Sequence, residues 1–417
     1  MDFNLDDFYP SEPAGYWKVT LKTSASGEGT EAVSSEEGLF VSAQSYGKND
    51  APPRLRPKTP VQKSPQMGMF SLERKAYLCT VENFEIIRPA PGNAFSDALA
   101  SLFARMGQFF GAEAAEGRKP VFVRFFLSDA QNQAKALRDA LGASFGSMLP
   151  GLAVSVVEQP PLDGSRIAAL VQTSSAPSKA LFHSLRMTEE EAAGKNSYAQ
   201  SRLLFDKYRA ILRRLGLELK THCVRTWIYV RDIDTNYAGL VKARNDIFAE
   251  EGLRHDTHYI ASTGIGGATE GRQAVVAIDF LTRPDLEESD KSYLKALSHL
   301  SPTHDYGVAF ERGVRLSDGK IFISGTASID HRGRVLHEGD VLAQTDRLLE
   351  NIAELLREGG SSLAEVPYFV IYLRDISDYP VIDAYMQERF QSVPRIILEA
   401  RVCRPAWLIE MECEVGA

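Results

Sequence analysis

Apolar and polar positions along the chain repeat in one arrangement three times. In each copy a stretch with helical periodicity precedes an apolar run typical of a strand that ends at a turn aspartate, and a second helix and two further strands follow. The three apolar runs are VFVRFFLSD ending at Asp129, VRTWIYVRD ending at Asp232 and YFVIYLRD ending at Asp375. This recurrence predicts three related units in tandem.

The repeats also divide the chain approximately. The predicted units span residues 1–175, 176–290 and 291–417. Gly216 and either Gly359 or Gly360 fall where helix C-caps are expected, which agrees with this division. Residues 44–68 are rich in Pro, Lys and Ser and lack apolar periodicity, so they predict a long loop inserted in the first unit.

Each unit is predicted to be α+β, with a mixed β-sheet and two helices on one face. The other face of such a sheet needs cover, because its apolar side chains would otherwise meet water. Three copies can supply that cover by packing sheet against sheet about a pseudo-threefold axis, as an intramolecular pseudo-trimer with sites between units. The alternative is three stacked α+β domains that share no cleft.

Composition narrows the classes of function. A formal net charge of -8 and a pI near 5.6 disfavour nucleic-acid binding, which needs clustered cations. No basic leader precedes an apolar run, and no run of about 18 apolar residues occurs, so we expect a cytoplasmic protein without membrane contact. Cys79, Cys223, Cys403 and Cys413 lack CxxC spacing, which predicts reduced thiols and no zinc site.

The third unit carries the motifs of a known family. From about Ile321 to Ala417 it resembles the YjgF/RidA family, through FISGTASIDHRG, QTDRLLENIAELLREGG, VIYLRDISDYPVIDAY, Pro394-Arg395 and IEMECEVGA. Homotrimers of that family have their sites between subunits. The resemblance therefore implies that three fused copies form a pseudo-trimer within one chain.

A narrower resemblance covers residues 195–417, which are similar to the chorismatases, themselves fused members of the same superfamily. The motifs that carry it are RTWIYVRDI, STGIGG, LSHLSPTHDYGVAFER, FISGTASI and VCRPAWLIEMECEV. Residues 1–190 match that family poorly, so the first unit is assigned by its repeat alone. The resemblance implies cleavage of chorismate to pyruvate and a hydroxybenzoate, with no metal or organic cofactor.

Chorismate carries two carboxylates, a ring hydroxyl and an enol ether. Its cleavage needs groups that bind two anions and an acid that protonates the methylene carbon. Arg225, in a strongly apolar strand, and Arg312, after the aromatic-rich YGVAF, are the candidates for the carboxylates. Each of them, taken singly, could equally be a surface or salt-bridge arginine.

The final apolar run, AWLIEMECEV, predicts a strand with Glu410, Glu412 and Glu414 on one face. One glutamate could therefore enter a cleft, and the alternative is an acidic stripe that faces solvent. By resemblance Glu410 occupies the general-acid position. Partial burial there would raise the pKa of its carboxyl toward neutrality.

Two further positions govern the product, as the resemblance implies. They map to Gly325 in ISGT and Cys403 in VCRP, counted with Glu410 as the catalytic set. The pair is similar to that of members that aromatise the ring to 3-hydroxybenzoate, with or without the 4-isomer, instead of stopping at a dihydrodiol. The alternatives are a close-packed strand glycine and a small buried apolar residue.

The segment STGIGG lacks the spacing of a phosphate loop and lies between two predicted strands, so nucleotide binding is not expected. We expect Thr263 and Gly264 to line the substrate cleft instead, with Tyr259 and Tyr306 as hydrogen-bonding walls. His299 and His304 have no acidic partner at metal-ligand spacing and are not expected to bind a metal.

Two other functions stay open at this stage. A RidA-type deaminase of 2-imino or enamine acids would use an arginine for the carboxylate and an acid for water, and Arg395 and Glu410 keep that spacing, so Arg395 joins the candidate substrate-binding residues. Ile397 and Ile382 depart from that family's cysteine and asparagine. The third reading is a non-catalytic small-ligand-binding protein. We expect one active cleft per chain and a monomer or loose homo-oligomer.

Overall fold

A computed structural model of the chain describes residues 82–92 and 94–416, together with two short strands. These strands, β1 (Ala32–Ser34) and β2 (Phe40–Ser42), pair antiparallel within a separate compact unit of residues 15–77. The predicted insertion at 44–68 and Cys79 lie outside the described residues. Everything below concerns the larger body that contains residues 82–416.

The first sheet of this body has the order β3-β6-β4-β5. Its elements are β3 (Glu82–Ile87), α1 (Phe95–Ala115), β4 (Lys119–Leu127), α2 (Ala130–Phe145), β5 (Ala153–Glu158) and β6 (Ile167–Ser174). Helix α1 buries Leu102, Met106 and Phe110, which recur every four residues and form one apolar stripe. Helix α2 begins after Asp129, whose side chain accepts a hydrogen bond from the backbone N–H of Asn132.

The second sheet has the order β7-β10-β8-β9. Its elements are β7 (Leu181–Leu185), α3 (Glu189–Ala192), α4 (Ser197–Leu215), α5 (Leu219–His222), β8 (Cys223–Val230), α6 (Ile233–Glu250), β9 (Ala261–Gly266) and β10 (Val276–Thr282). Helix α4 ends at Gly216, whose φ of 71° lies in the left-handed region that glycine adopts without strain. This is one of the predicted C-caps.

The third sheet has six strands in the order β11-β12-β13-β16-β14-β15. Its elements are β11 (Lys291–Leu294), β12 (Gly313–Leu316), β13 (Ile321–Thr326), α7 (Val341–Glu358), β14 (Phe369–Leu373), α8 (Tyr379–Arg389), β15 (Arg395–Glu399) and β16 (Ile409–Val415). Strand β16 is central in this sheet, antiparallel to both β13 and β14.

The three sheets share one core arrangement. In each, the predicted apolar run (β4, β8 or β14) lies between a parallel strand (β5, β9 or β15) and an antiparallel strand (β6, β10 or β16). The predicted α+β fold of three tandem units is confirmed. The positions of the unit boundaries at 175/176 and 290/291 stay predictions.

Backbone bridges join every pair of units. Glu158 pairs with Ala268 between the first and second, Pro161 with Leu398 between the first and third, and Ile265 with Val402 between the second and third. One apolar core includes Phe84, Ile228 and Ile371, each from a different sheet. The three units are therefore in direct contact with one another. No helix of the described residues is long and apolar enough to cross a membrane.

Candidate active site

Strand β16 carries three buried glutamates on one face. Glu410, Glu412 and Glu414 are 5%, 4% and 7% exposed. The acidic stripe facing solvent, considered from the sequence, is therefore wrong, because this face of the strand points toward the other units and not toward water. Burying three carboxyls requires that each be paired or protonated.

Glu412 is held by side chains of the second unit. Its Oε2 accepts a hydrogen bond from Nη2 of Arg225 at 2.8 Å and another from the hydroxyl of Thr263, and its Oε1 accepts one from Nε1 of Trp227 at 2.9 Å. Arg225 also donates to Oγ1 of Thr263 at 2.6 Å, and that oxygen accepts the backbone N–H of Gly325 at 2.8 Å. This network ties β8 and β9 of the second unit to β13 and β16 of the third.

Glu410 lines a cavity between the second and third units. The other lining residues are Tyr237, Arg244, Ser262, Gly264, Tyr306, Val308, Phe310, Arg312, Gly325, Ala327, Ile329, Cys403, Arg404 and Trp407. Most of them are apolar or aromatic, and the charged groups are one acid and three arginines. A cavity of this kind suits a ligand with a ring and negative charge.

The carboxyl of Glu410 receives no hydrogen bond from any described side chain or backbone group. Burial, and after it the charge of Glu412 two residues away, raise the pKa of this carboxyl to about 8, although Arg225 and Arg312 act to lower it. At neutral pH Glu410 therefore carries a proton, as a general acid must.

Two of the cavity arginines have unused donors. Arg244 and Arg312 are 1% and 5% exposed. Within residues 82–92 and 94–416, Nε and Nη2 of Arg244 and Nε of Arg312 find no hydrogen-bond partner. Arg312 donates from Nη2 to the backbone carbonyl of Ser301 at 3.1 Å. Because a buried guanidinium without an anion is costly, both residues favour a negatively charged ligand.

The third arginine lies between aromatic rings. The guanidinium carbon of Arg404 is 4.8 Å from the ring centre of Tyr306 and 4.9 Å from that of Trp407. These contacts connect the segment that carries Tyr306 and Arg312 to the segment that carries Cys403 and Arg404.

Gly325 leaves space for the Glu410 carboxyl. A Cβ built on Gly325 would lie 2.8 Å from Cδ of Glu410 and 3.0 Å from Cγ2 of Thr263, and it would overlap a carboxyl oxygen of Glu410. A side chain at this position therefore displaces Glu410. Burial, with a further contribution from Glu410, raises the pKa of the Cys403 thiol to about 12, so Cys403 is a small neutral wall and not a thiolate.

Six of the ten residues predicted from the sequence line this cavity: Gly264, Tyr306, Arg312, Gly325, Cys403 and Glu410. Arg225 and Thr263 are not among the residues that line the Glu410 cavity. Arg225 is only 2% exposed and already paired with Glu412, so its predicted contact with a substrate carboxylate is not supported by its position.

Tyr259 and Arg395 lie outside the lining. The ring of Tyr259 stacks on Phe248 with centres 6.3 Å apart. Arg395 begins the edge strand β15 and donates to Asp383 at 3.2 Å and Gln387 at 2.7 Å. Strand β14 lies between β15 and β16, so Arg395 and Glu410 are on strands that do not pair with each other.

Sequence reasoning missed Arg244, Tyr237, Arg404 and Trp407. Arg244 could have been found from the sequence, because it falls on the apolar, buried stripe of α6 between Leu240 and Phe248, where a charged residue is exceptional. Tyr237 precedes Arg244 by seven residues, or two helical turns, on the same face. Arg404 and Trp407 lie in a loop whose path the sequence does not reveal.

The cavity is small, with a volume of ≈ 40 Å³. About 10–15 Å³ of such volume holds one water, so a substrate with a six-membered ring does not fit the closed cavity. The segment from Ser301 to Arg312 supplies Tyr306, Val308 and Phe310 to the wall and contains no long helix or strand. We expect this segment to move when a ligand enters.

These features define a three-unit α+β protein with a small-molecule cavity between its second and third units. The family described as Endoribonuclease L-PSP matches residues 300–416. The 3-aminoacrylate deaminase RutC of Acinetobacter baylyi is 35% identical over 97 residues, which cover 23% of this chain and 77% of RutC. The chain belongs to this family, as its YjgF/RidA-like motifs predict.

A solved chorismatase has the same fold over most of the chain. The likeness covers 81% of this chain and 99% of the chorismatase, with a TM-score of 0.58 and 20% sequence identity. The match extends well beyond the third unit. The predicted resemblance in fold to the chorismatases is thus confirmed.

The raised pKa of Glu410 predicts how pH affects stability. The unfolded chain has the ordinary glutamate pKa near 4.5, so between 4.5 and about 8 the folded protein alone keeps the proton, and stability falls as pH rises through that window. The Glu410→Gln variant cannot ionise. We expect it to melt with the wild type at pH 4.5 and several degrees higher at pH 9, in thermal unfolding followed by circular dichroism.

Glu399→Gln, at an exposed glutamate on the edge strand β15, is the matched control and should follow the wild type at both pH values. Equal melting temperatures for wild type and Glu410→Gln at pH 9 would contradict a raised pKa at Glu410.

Proposed function

We propose that the protein is a chorismatase that converts chorismate to pyruvate and 3-hydroxybenzoate in the cavity around Glu410. The observation that carries the proposal is the combination of a protonated buried acid with three arginines in one aromatic cavity. A substrate with a ring, two carboxylates and an acid-labile enol ether matches each of these groups.

The binding step uses the arginines. Arg244 and Arg312 have unpartnered N–H groups among the described residues and can each donate hydrogen bonds to one carboxylate, with Arg404 as a further cation. Tyr306 and Trp407 offer faces for the ring. Once the segment from Ser301 to Arg312 has moved to admit the ligand, its closure around the ligand would exclude water, which strengthens each charge interaction.

The chemical step begins when Glu410 gives its proton to the methylene carbon of the enolpyruvyl group. The adjacent ether carbon becomes cationic and is captured by an oxygen, either from water or from the ring hydroxyl, and collapse of this adduct releases pyruvate. Chorismate has the composition of pyruvate plus hydroxybenzoate, so no net water is consumed. Aromatisation breaks one ring C–O bond and releases one ring proton. The oxygen of that bond leaves as water when water made the adduct, and leaves with pyruvate when the ring hydroxyl made it, so the protons balance and Glu410 returns to its acid form.

The charges around Glu410 assist both the release of its proton and the stabilisation of the cation that forms. Arg225, held on Glu412, and Arg312 both lower the pKa of Glu410, so they make its proton easier to release. The carboxylate that remains after transfer then lies beside the cationic carbon and stabilises it. One residue thus serves as acid and as counter-charge.

The first test is incubation of the purified protein with chorismate, with pyruvate and aromatic products separated by chromatography. We expect both products from the wild type and a loss of at least about 100-fold in kcat for Glu410→Gln, the scale of general acid catalysis. Because the protonated form is the active one, kcat should fall as pH rises through about 8. Ammonia from 2-aminoacrylate without turnover of chorismate would favour a deaminase instead.

A second prediction concerns Arg244. Replacing it by Met removes one charged hydrogen-bond pair, which corresponds to about 10- to 100-fold in kcat/KM for chorismate. Arg244→Lys keeps the positive charge but lacks the planar guanidinium, so its kcat/KM should lie between those of the wild type and Arg244→Met. Arg254→Met, at an exposed arginine just beyond α6, is the matched control and should leave kcat/KM unchanged.

A third prediction concerns Gly325. In Gly325→Ala the new methyl group displaces the Glu410 carboxyl, so kcat should fall. The resemblance implies that chorismatases which stop at a dihydrodiol carry alanine at this position, so the product should shift toward a dihydrodiol. Gly111→Ala, in α1 with nothing within 4 Å of its added Cβ, is the control. Unchanged kcat and product in Gly325→Ala would show that the contact between Gly325 and Glu410 does not matter.

A further inference from the structure

A second cavity lies against the first unit, and its lining shares no residue with that of the Glu410 cavity. Its volume is ≈ 970 Å³. Alternate residues of three adjacent strands form one wall, with Phe84 on β3, Phe122 and Arg124 on β4, and Leu170 and Gln172 on β6. Since residues two apart share a face, this wall is the face of the sheet away from α1 and α2.

Arg124 is the unusual group in this wall. It is 2% exposed, and among the described residues its Nε and Nη2 have no hydrogen-bond partner. The nearest carboxylate oxygens are Oδ2 of Asp279, 3.6 Å from Nη2, and Oε1 of Glu412, 3.8 Å from Nη1. Both distances exceed that of a hydrogen bond.

The two carboxylates near Arg124 are already committed to other donors. Asp279 accepts from Ser155 at 2.6 Å and from Arg186 at 2.9 Å. Glu412 accepts from Arg225 and Trp227. Arg124 therefore keeps its charge and its donors without a full partner, which is costly for a buried guanidinium unless an anion joins it.

The surroundings of Arg124 are aromatic. Its guanidinium carbon lies 4.5 Å from the ring centre of Trp227 and 5.4 Å from that of Phe122. Both rings line the cavity, together with Phe84 and Tyr368. A ligand beside Arg124 thus meets a cation at one end and apolar ring faces along its body.

The cavity as a whole is cationic, although the chain is acidic overall. Its lining contains six basic residues, Arg118, Lys119, Arg124, Lys179, Arg283 and Lys320, and three acidic residues, Glu82, Asp318 and Glu414. Lys320 is paired with Glu82 at 2.6 Å, and Arg283 with Asp318 at 2.8 Å. The excess of positive charge favours entry of an anion.

We propose that this cavity is a second ligand site, which binds a small aromatic carboxylate with its carboxylate on Arg124 and its ring against Trp227 and Phe122. The site differs from the Glu410 cavity in position and lining, and it does not depend on the proposed chorismatase activity.

Isothermal titration of the full chain with benzoate tests this site. Gln172→Trp places a large ring in the cavity beside Phe122 without altering a charge, because the half-buried Gln172 pairs with Phe84 and Phe122 on the neighbouring strands. We expect a binding event in the wild type that persists in Gln172→Ala, is lost in Gln172→Trp and weakens at least about tenfold in Arg124→Met. Arg312→Met, in the other cavity, should leave this event intact.

Gln172→Trp keeps the test decisive if Arg124→Met fails to fold for lack of its buried charge. The absence of benzoate binding in the wild type would overturn the proposal. So would binding that is unchanged in Gln172→Trp, or binding that disappears in Arg312→Met, since the anion would then occupy the Glu410 cavity. None of these results bears on turnover of chorismate, which is measured separately.

Discussion

The ion pair between Glu412 and Arg225 is the interaction on which the rest of the site depends. It crosses from the third unit to the second, and both side chains are almost fully buried. Removing one partner of such a pair typically costs about 3–5 kcal/mol, because the other charge is left without compensation. The pair also fixes Thr263, whose hydroxyl oxygen holds the backbone N–H of Gly325 and so sets the wall beside Glu410.

Two glutamates on one strand face thus have opposite states. Glu412 takes the donors of Arg225, Trp227 and Thr263, and no described group donates to Glu410. The negative charge of Glu412 then adds to burial in raising the pKa of Glu410. A structural carboxylate two residues away helps to keep the neighbouring acid protonated, by the repulsion between like charges.

The sequence predicted the three units because their strand and helix patterns are local, and it predicted six cavity residues chiefly because its motifs resemble those of the chorismatases. Strand periodicity and the motif around Glu410 are each contained in a short segment of the chain, so they can be recognised without knowledge of the fold. The ion pair of Arg225 was not predicted because its partner Glu412 lies 187 residues away, so nothing near Arg225 in the chain indicates it. Arg404 and Trp407 were missed for a related reason, since only the folded loop brings them to the Glu410 cavity. The raised pKa of Glu410 followed from expected burial, but the part played by Glu412 required coordinates.

The place of β16 in the sheet has a consequence for how the protein is made. This strand follows every other described strand in sequence, yet it lies between β13 and β14 and carries both Glu410 and Glu412. A nascent chain that has not yet reached residue 409 lacks the middle of its largest sheet, and Arg225 has no counter-charge. Completion of the third sheet and assembly of the Glu410 cavity therefore coincide late in synthesis, so partly made chains lack this cavity.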